Sequence, residues 1–514
     1  MMTYILAHDV GTSGNKATLF DEKGAMVASE VAAYPVRFFN GTWAEQNADD
    51  WWQAVCASTR ALLSRLDLNP ADIAAVSFSG QMMGCLPVDA EGNPLRPSII
   101  WADQRAQQQA AQLAQHLPMR AHFAITGHRN TASYGLPKLM WLKDNEPDIY
   151  RDAHKVLNAK DYIVYKLTGE FVTEPTDAAG FNAVDLRTCG WSQEVLDASS
   201  IARDKLPDIA PSTAVVGRVH AQAARETGLM EGTPVVPGGG DGLCANVGVG
   251  SVAPGHAYCS LGSSAWVAAT CDQPLVDDQM RVVTWVHIVP GLYSPNAAMQ
   301  AAGNAHAWVK NTLCGVDVQQ AGQMGVSPYA LLNKRVEKSP PGANGVLFLP
   351  HLLGERSPRW NPDARGAYIG MGMETTLDDL VRAALEGITM NLKLNLDIIA
   401  DMIPLDNVLA TGGGARGDVW CQIMAGVFGL PVQVPELLEE ATSMGAAVTG
   451  GVGVGLYKDF GITRDMVAIA RTHMPDAEAV YTYSQLLPLF DQAYHALEPV
   501  FTGLVQHATG RTDE

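Results

Sequence analysis

The stretch TYILAHDVGTSGNKATLFD, residues 3–21, indicates how the fold begins. Thr3 to Asp9 predicts a strand, residues 11–15 predict a tight polar turn, and Lys16 to Asp21 predicts a second strand, antiparallel to the first. A third strand is predicted over residues 25–31, after a short turn. The chain therefore opens with a three-stranded meander whose first turn is rich in glycine and hydroxyl side chains.

The first turn, Gly11-Thr12-Ser13, is suited to hold phosphate oxygens. Glycine lets backbone N–H groups point into the turn, and the two hydroxyls add donors. Asp9 could hold a magnesium ion through water, since magnesium prefers carboxylates and retains part of its hydration shell. An ordinary hairpin with a polar turn explains the same residues, and the local sequence alone favours it. No Gly-Lys-Ser/Thr follows, so the turn is not a P-loop.

Two further glycine-rich turns follow predicted strands. Gly262-Ser263-Ser264 comes after a strand over residues 257–261, about 250 residues beyond the first turn. Two such turns would grip a polyphosphate from both sides, whereas unrelated hairpins would have no reason to resemble each other. Gly412-Gly413-Gly414 separates a strand over residues 407–411 from a helix over residues 418–429, and it favours a nucleotide's base or ribose over a flexible connector. The repetition indicates two related lobes.

Asp241 follows three glycines at the end of a predicted strand that begins at Val235. A carboxylate in this position could act as a general base towards a substrate hydroxyl. Asp is also a common helix N-cap, and a small-residue helix is predicted over residues 243–248. The local sequence alone favours the cap.

Other helices have recognisable patterns. Asn47 is predicted to cap a helix that ends near Leu66, because apolar residues recur on one face over this range. A very polar helix is predicted to begin near Asp103 and to end near Gln115, and a long helix covers residues 377–402. Strands and helices therefore alternate after the opening meander.

Composition and charge exclude several classes of protein. The 514 residues are 47% hydrophobic, which at ~100 to 200 residues per domain predicts two to four domains. The formal charge of −19 opposes a broad surface for nucleic acid or an anionic membrane. The eight cysteines are scattered, as is typical of reduced thiols in a cytosolic protein. The N-terminus does not resemble a signal peptide, and the uncharged residues 242–271 hold too many glycines and serines for a membrane span. We expect a cytoplasmic protein without nucleic-acid or membrane partners.

The most specific resemblance is carried by residues 366–387, GAYIGMGMETTLDDLVRAALEG. They match the C-terminal signature of the FGGY family of carbohydrate kinases at each position. A second family signature is present around residues 138–145, with Gly135 in place of Pro, Ser or Thr. The resemblance runs from Asp9 to about Gly455. It implies an α/β protein with the two-lobed ribonuclease H-like or actin-like ATPase fold of sugar kinases, in which mixed sheets are flanked by helices.

Five short segments are similar to the xylulokinase branch of that family, and they lie at residues 43–47, 79–82, 239–241, 347–350 and 354–358. This likeness implies phosphorylation of a ketopentose or a related sugar or polyol, with ATP and Mg²⁺ as cofactors. It also implies that Asp241 is the catalytic base, which reverses the preference for a helix cap.

The resemblance, taken with the motifs, implies three groups of site residues. The substrate residues are Gln81, Met82, Met83, Trp101, Asp103 and Asp241. The ATP residues are Gly11, Thr12, Ser13, Lys16, Gly262, Ser263, Gly303, Gly413, Gly414 and Asp418. Asp9 is the magnesium residue. The implied domains are an N-terminal lobe over residues 1–250 that binds the sugar, a C-terminal lobe over residues 251–455 that binds the nucleotide, and a C-terminal helical extension over residues 456–514.

Three positions depart from the xylulokinase pattern. Met83 stands in place of His, and Ala102 and Gly242 each stand in place of Asn. Losing hydrogen-bonding groups from a site built around hydroxyls can change substrate preference by orders of magnitude. We therefore expect D-xylulose to be a poor acceptor, with another polyol, ketose or sugar acid preferred. Glycerol is disfavoured, because a glycerol kinase would carry Arg-Glu at residues 82–83.

Two other classes of function stay open. A chaperone-like or actin-like ATPase would share the fold, but the roughly 60 residues after Gly455 cannot supply the peptide-binding domain of a heat-shock chaperone. A catalytically silent sugar sensor is disfavoured because Asp9 and Asp241 are both retained. The partners expected are a small sugar and ATP. The sequence leaves the oligomeric state open, with a homodimer included.

Overall fold

The structure is a computed structural model that describes residues 3–436 and 440–509. The chain forms two compact units. The first unit contains the residues up to Pro254, together with Thr270–Ser294 and Glu440–Val467; the second contains Gly255–Ala269 and residues 295–436 and 468–509. The chain therefore returns to the first unit twice. The lobe boundaries at residues 250 and 455 stay a prediction, and residues 510–514 of the predicted extension lie outside the described residues.

The strands are short to medium in length and occur in both units. In chain order they are β1 (Tyr4–Val10), β2 (Gly14–Asp21), β3 (Met26–Ala33), β4 (Arg37–Phe39), β5 (Trp43–Gln46), β6 (Ile73–Gly80), β7 (Leu86–Val88), β8 (Ser98–Ile99), β9 (Lys155–Leu157), β10 (Val172–Thr173), β11 (Val184–Asp185), β12 (Gly190–Trp191), β13 (Asp208–Ile209), β14 (Gly217–Arg218), β15 (Pro234–Gly240), β16 (Ala257–Leu261), β17 (Ala265–Ala269), β18 (Val283–Val286), β19 (Tyr293–Met299), β20 (Leu347–Pro350), β21 (Gly366–Ile369), β22 (Val408–Thr411), β23 (Val432–Pro435) and β24 (Ile469–His473).

The α-helices separate these strands. They are α1 (Ala48–Leu66), α2 (Gln107–His116), α3 (Met119–Thr126), α4 (Gly135–Asn145), α5 (Pro147–Asp152), α6 (Ala159–Thr168), α7 (Pro175–Ala179), α8 (Gln193–Ser199), α9 (Ala221–Thr227), α10 (Asp241–Gly248), α11 (Gly303–Leu313), α12 (Gly315–Met324), α13 (Pro328–Lys338), α14 (Leu377–Ala400), α15 (Asp418–Phe428), α16 (Ala441–Gly453), α17 (Thr463–Met466) and α18 (Ala477–Thr509). Short 3₁₀ helices cover Pro70–Asp72, Arg203–Lys205, Ala343–Gly345, Gly413–Arg416 and Phe460–Ile462.

The first unit is built on a six-stranded mixed sheet in the order β14-β15-β6-β1-β2-β3. Strand β1 pairs antiparallel with β2 and parallel with β6, and β15 adds parallel to β6. Successive side chains of β1 enter different cores, as the two-residue period of a strand requires. Leu6 packs in the core that contains Trp51 of α1, whereas Ile5 and Ala7 pack in the core that contains Met444 of α16. Helices therefore cover both faces, and the sequence prediction of mixed sheets flanked by helices is confirmed.

The second unit repeats this arrangement. Strand β16 pairs antiparallel with β17 and parallel with β22, as β1 does with β2 and β6. The sheet continues from β22 to β23, which is parallel, and then to β24, which is antiparallel. Helices α14 and α15 pack against each other, and α18 packs on α15. The glycine turns at residues 11–13 and 262–264 thus occupy the same place in two similar sheets.

The predicted helix near Asp103 begins later than expected, at Gln107. The Asp103 carboxylate accepts a hydrogen bond from the backbone N–H of Arg105 at 2.8 Å, and such local bonds compete with helix formation. The predicted cap at Asn47 is confirmed, since its side chain accepts from the N–H of Asp49.

Two further findings concern the whole described chain. Among the described residues, no helix is both long and apolar enough to cross a lipid bilayer. All eight cysteines lie within the described ranges, and each is a free thiol.

Candidate active site

Asp241 is the first residue of α10, directly after the glycine-rich end of β15. Gly238 adopts a φ of 70°, and a Cβ atom there would lie 1.8 Å from the carbonyl oxygen of Phe78. Only glycine tolerates this backbone conformation so close to a neighbouring strand. The N-cap is Gly240, and the Asp241 carboxylate accepts only from the N–H of the next residue, Gly242, at 2.7 Å among its described hydrogen bonds. Asp241 therefore does not act as the N-cap that the local sequence favoured.

The carboxyl of Asp241 is unusually basic. Burial raises its pKa from 3.8 to about 7, and the negative charge of Asp9 adds to the increase, whereas the hydrogen bond from Gly242 opposes it. A carboxylate with a pKa near neutrality can both accept and release a proton at physiological pH, as a general base must.

Asp9 lies near the end of β1, where it pairs with Lys16 across the antiparallel turn. One carboxylate oxygen, Oδ2, accepts a hydrogen bond from the hydroxyl of Thr442 at 2.8 Å. The other oxygen, Oδ1, is buried and has no hydrogen-bond partner among the described residues. A buried acceptor without a partner fits a magnesium ion held through water. In the part of the chain that the structure describes, no group of three or more His, Cys, Asp or Glu side chains gathers to hold an ion directly.

The turn after Asp9 brings two of the predicted substrate residues together. Gln81 donates through Nε2 to the carbonyl oxygen of Gly11 at 3.1 Å and to Gln46 at 2.7 Å. Trp101 donates through its indole N–H to the hydroxyl of Thr12 at 2.9 Å. The backbone of the turn is held further by Ser13, whose carbonyl accepts a bond at 3.1 Å. The predicted phosphate turn and part of the predicted sugar site are therefore neighbours in the first unit.

The other predicted substrate residues of the first unit are Met82, Met83 and Asp103. Met83 adopts a φ of 63°, and Met82 is buried against Gly240. The fully buried Asp103 carboxylate is bound by the Arg105 guanidinium at 2.7 Å and by the N–H of Ala44 at 2.6 Å. Asp103 thus holds its own segment in place and presents no free carboxylate.

Lys16 has an acidic partner. Its amine lies 3.0 Å from the carboxylate of Glu440, so the predicted phosphate ligand is paired in this structure. Both residues lie in the first unit.

The second unit contains a cavity of about 730 Å³. This volume lies within the ~300 to 1,000 Å³ of small-molecule sites. Five predicted ATP residues line it, and they are Gly262, Ser263, Gly303, Gly413 and Gly414. A Cβ at Gly303 would lie 2.4 Å from the carbonyl of Gly262, and a Cβ at Gly414 would lie 2.7 Å from Leu261. A larger residue at either position would therefore collide with the backbone or side chain of a neighbouring segment. We call the part of the cavity lined by these glycines the glycine slot.

An aromatic wall of this cavity was not predicted from the sequence. The ring of His306 lies 4.9 Å from that of Tyr329 and 5.4 Å from that of Trp420. Burial lowers the pKa of His306 to about 4, so the ring is neutral at physiological pH. Its Nε2 is buried without a hydrogen-bond partner among the described residues. Flat aromatic surfaces beside a glycine slot suit a nucleoside base.

Asp418 is placed differently from the other predicted ATP residues. Its carboxylate forms an ion pair with Arg471 and lies 3.5 Å from His473. It lines a separate cavity of about 430 Å³ in the second unit.

Residues that the sequence analysis missed share one property, which is that their partners are far away in the chain. Thr442 contacts Asp9 across 433 positions, and Gln46 contacts Gln81 across 35 positions. The sequence signal for Gln46 is that residues 43–47 are similar to the xylulokinase branch. No local pattern marks Thr442 or His306.

Comparisons with known proteins identify the family of the chain. The family description "FGGY family of carbohydrate kinases, N-terminal domain" matches residues 4–248, and the corresponding C-terminal domain matches residues 257–454. The chain is 31% identical over 510 residues to a gluconokinase of Bacillus licheniformis, covering 99% of this chain and 98% of that protein. It is also 31% identical over 493 residues to a xylulose kinase of Escherichia coli K12, covering 96% of this chain and 99% of that protein.

A solved structure gives the same result for the fold. The gluconate kinase of Lactobacillus acidophilus superimposes with a TM-score of 0.91 at 26% identity, covering 98% of this chain and all of that one. The predicted actin-like fold of sugar kinases is confirmed, and so are ATP and Mg²⁺ as the cofactors of these kinases. The chain belongs to the FGGY family of carbohydrate kinases.

Proposed function

We propose that this kinase transfers a phosphoryl group from ATP to a hydroxyl of a sugar or sugar acid, with Asp241 as the general base. This role is supported by the position of Asp241 directly after the end of β15, where burial and Asp9 raise its pKa to about 7. At that pKa the carboxylate accepts the proton of the acceptor hydroxyl as the oxygen attacks phosphorus. Asp241 then returns the proton to solvent.

The other site residues would bind the magnesium ion, the nucleotide and the acceptor. Asp9 would hold the magnesium ion through water, on the evidence of its unpartnered Oδ1, and Thr442 fixes the orientation of that carboxylate. The bound ion neutralises charge on the phosphates. The cavity of the second unit would take the nucleotide, with its base against His306 and the glycine slot beside Gly413. Gln81 and Trp101, which are tied to the first phosphate turn, would contact the acceptor.

We favour a sugar acid of the gluconate kind as the acceptor. The support comes from the gluconokinase and gluconate kinase relatives, together with the three xylulokinase positions that are replaced here by Met83, Ala102 and Gly242. These side chains offer no hydrogen-bond donor to a sugar hydroxyl. D-xylulose is the second candidate, because the xylulose kinase relatives are about as similar.

The proposal is tested by acceptor-dependent ADP release. Purified protein is assayed with ATP, Mg²⁺ and either gluconate, D-xylulose or glycerol, and thermal-shift screening of further aldonates, ketoses and polyols extends the panel. We expect gluconate or a related aldonate to give the highest kcat/KM. A kcat/KM for D-xylulose well above that of every other compound would contradict the assignment of the acceptor.

Two alternatives give different results in the same assay. An actin-like or chaperone-like ATPase would release ADP at the same rate with and without an acceptor. A silent sugar sensor would show a thermal shift with a sugar but no ADP release. We also propose that the protein acts in the cytoplasm, which its free thiols and net charge of −19 support.

A further inference from the structure

Four ionisable side chains form a buried group in the first unit, which we call the Lys160 cluster. It consists of Lys160, Asp161, Glu174 and Asp177. The Lys160 amine lies 2.9 Å from Asp161, 3.3 Å from Glu174 and 3.2 Å from Asp177, and at most 2% of any of these side chains is exposed. None of these residues belongs to the proposed catalytic machinery.

The Lys160 cluster contains one amine and three carboxyl groups. Burial alone would lower the pKa of Lys160, but the three surrounding carboxylates raise it well above its usual value. Burial raises the pKa of Asp177 well above its usual range, and the nearby Lys160 amine opposes this increase. A buried group of this kind is costly to form, and removing one partner leaves an uncompensated buried charge.

Glu174 connects the cluster to the end of β15, which directly precedes Asp241. Its carboxylate accepts hydrogen bonds from the hydroxyl of Thr176 at 2.7 Å and from the hydroxyl of Ser212, also at 2.7 Å. The same Thr176 oxygen accepts a bond from the backbone N–H of Gly240 at 2.8 Å. An unbroken path therefore runs from Lys160 through Glu174 and Thr176 to the residue directly before Asp241.

The cluster also packs against the neighbouring strand. A Cβ atom at Gly80 would lie 2.9 Å from Cβ of Lys160, so only glycine fits there without a shift. Gly80 pairs with Gly240 in the register of β6 and β15. The ends of both strands that lead into the proposed acceptor site are thus held by one buried group.

We propose that Thr176 is a positioning residue for Asp241. Its hydroxyl, oriented by Glu174 of the Lys160 cluster, fixes the N–H of Gly240 and with it the direction in which the Asp241 side chain leaves the strand. The inference rests on the proposed function, in which Asp241 is the base. It adds a requirement that the base alone does not explain, namely a buried hydroxyl that both donates to Glu174 and accepts from Gly240.

The test replaces the hydroxyl in steps. Thr176→Ser keeps the hydroxyl, Thr176→Cys substitutes a weak acceptor, and Thr176→Val removes the acceptor altogether. Displacing a reacting group by about 1 Å can cost ~10²-fold, so we expect kcat to fall by roughly 10- to 100-fold in Thr176→Val, less in Thr176→Cys and little in Thr176→Ser. The KM for ATP should stay the same, because the nucleotide cavity lies in the second unit.

Ser212→Ala is the matched control, since it removes another buried hydroxyl from Glu174 without touching the Gly240 N–H. It should lower Tm and leave kcat nearly unchanged. If Thr176→Val does not fold, the order of kcat among wild type, Thr176→Ser and Thr176→Cys decides the question. Equal kcat across this series, or an equal loss in Ser212→Ala, would overturn the inference alone. ADP release by the wild type that is independent of any acceptor would overturn the proposed function as well.

Discussion

In the first unit, burial of Asp241 and the nearby negative charge of Asp9 together raise the pKa of Asp241 to about 7. Two carboxylates close to one another in partly buried surroundings resist simultaneous ionisation. One of them can therefore hold a metal ion through water while the other exchanges a proton near neutral pH.

The rate should depend on pH through Asp241. Turnover with the best acceptor is expected to rise as pH increases through about 7, because only the ionised carboxylate accepts a proton. Asp9→Asn removes the charge that adds to the increase in pKa, so the midpoint should move to lower pH even though the maximal rate falls. Profiles of kcat against pH measure both effects. The control is Asp148→Asn, which removes an exposed carboxylate and should leave the midpoint where it is.

The stability of the folded protein should fall as pH rises, whereas the rate should rise. A carboxyl whose pKa is higher in the folded state binds its proton more tightly there. The free energy of unfolding therefore falls as pH rises from about 4 to about 7. Asp241→Asn removes this penalty. We expect its Tm to exceed that of the wild type at pH 8, with the difference shrinking towards pH 4, and thermal unfolding across this range measures it. A Tm difference that is independent of pH would show that the pKa of Asp241 is not raised.

Asp9→Ala should impair turnover with every acceptor alike. The proposed magnesium ion acts on the phosphates and not on the sugar, so the ranking of acceptors should be preserved while the Mg²⁺ concentration needed for half-maximal rate increases. Magnesium titrations with at least two acceptors check this. A defect confined to one acceptor would place Asp9 in the sugar site instead.

His306→Ala should weaken nucleotide binding. Removing a buried aromatic ring from beside Tyr329 and Trp420 is expected to raise the KM for ATP about tenfold, which corresponds to ~1.4 kcal/mol. The KM for the acceptor should stay constant. Replacement of the exposed His116 by Ala is the matched control. An unchanged KM for ATP would remove His306 from the nucleotide site.

Much of the fold follows from patterns that are local in the sequence. The first strand and the cap at Asn47 each depend on neighbouring residues, and each has the predicted structure. Contacts between segments that are distant in the chain cannot be predicted from such local patterns. The pairing of Thr442 with Asp9 and of Thr176 with Gly240 depends on how strands and helices pack, which no local period encodes. Asp103 shows a different limit, because its partner is close in the chain.

The family resemblance of its segment predicts Asp103 in the sugar site, and this stays a prediction. Its carboxylate is bound by Arg105, a residue only two positions away. A one-dimensional pattern identifies the residue type but does not reveal that an adjacent guanidinium occupies it. The effects of burial are equally hidden, since the pKa of Asp241 depends on its burial and on the charge of Asp9, which lies on a different strand.

The role of Asp241 as the general base is tested by ADP release from the wild type and from Asp241→Asn, each with and without the best acceptor. Loss of a general base typically costs ~10²- to 10⁴-fold in rate, so the variant should lose acceptor-dependent turnover by that factor while still binding ATP in the second unit. ATP binding is measured separately by titration. Acceptor-dependent turnover near the wild-type rate in Asp241→Asn would contradict the account.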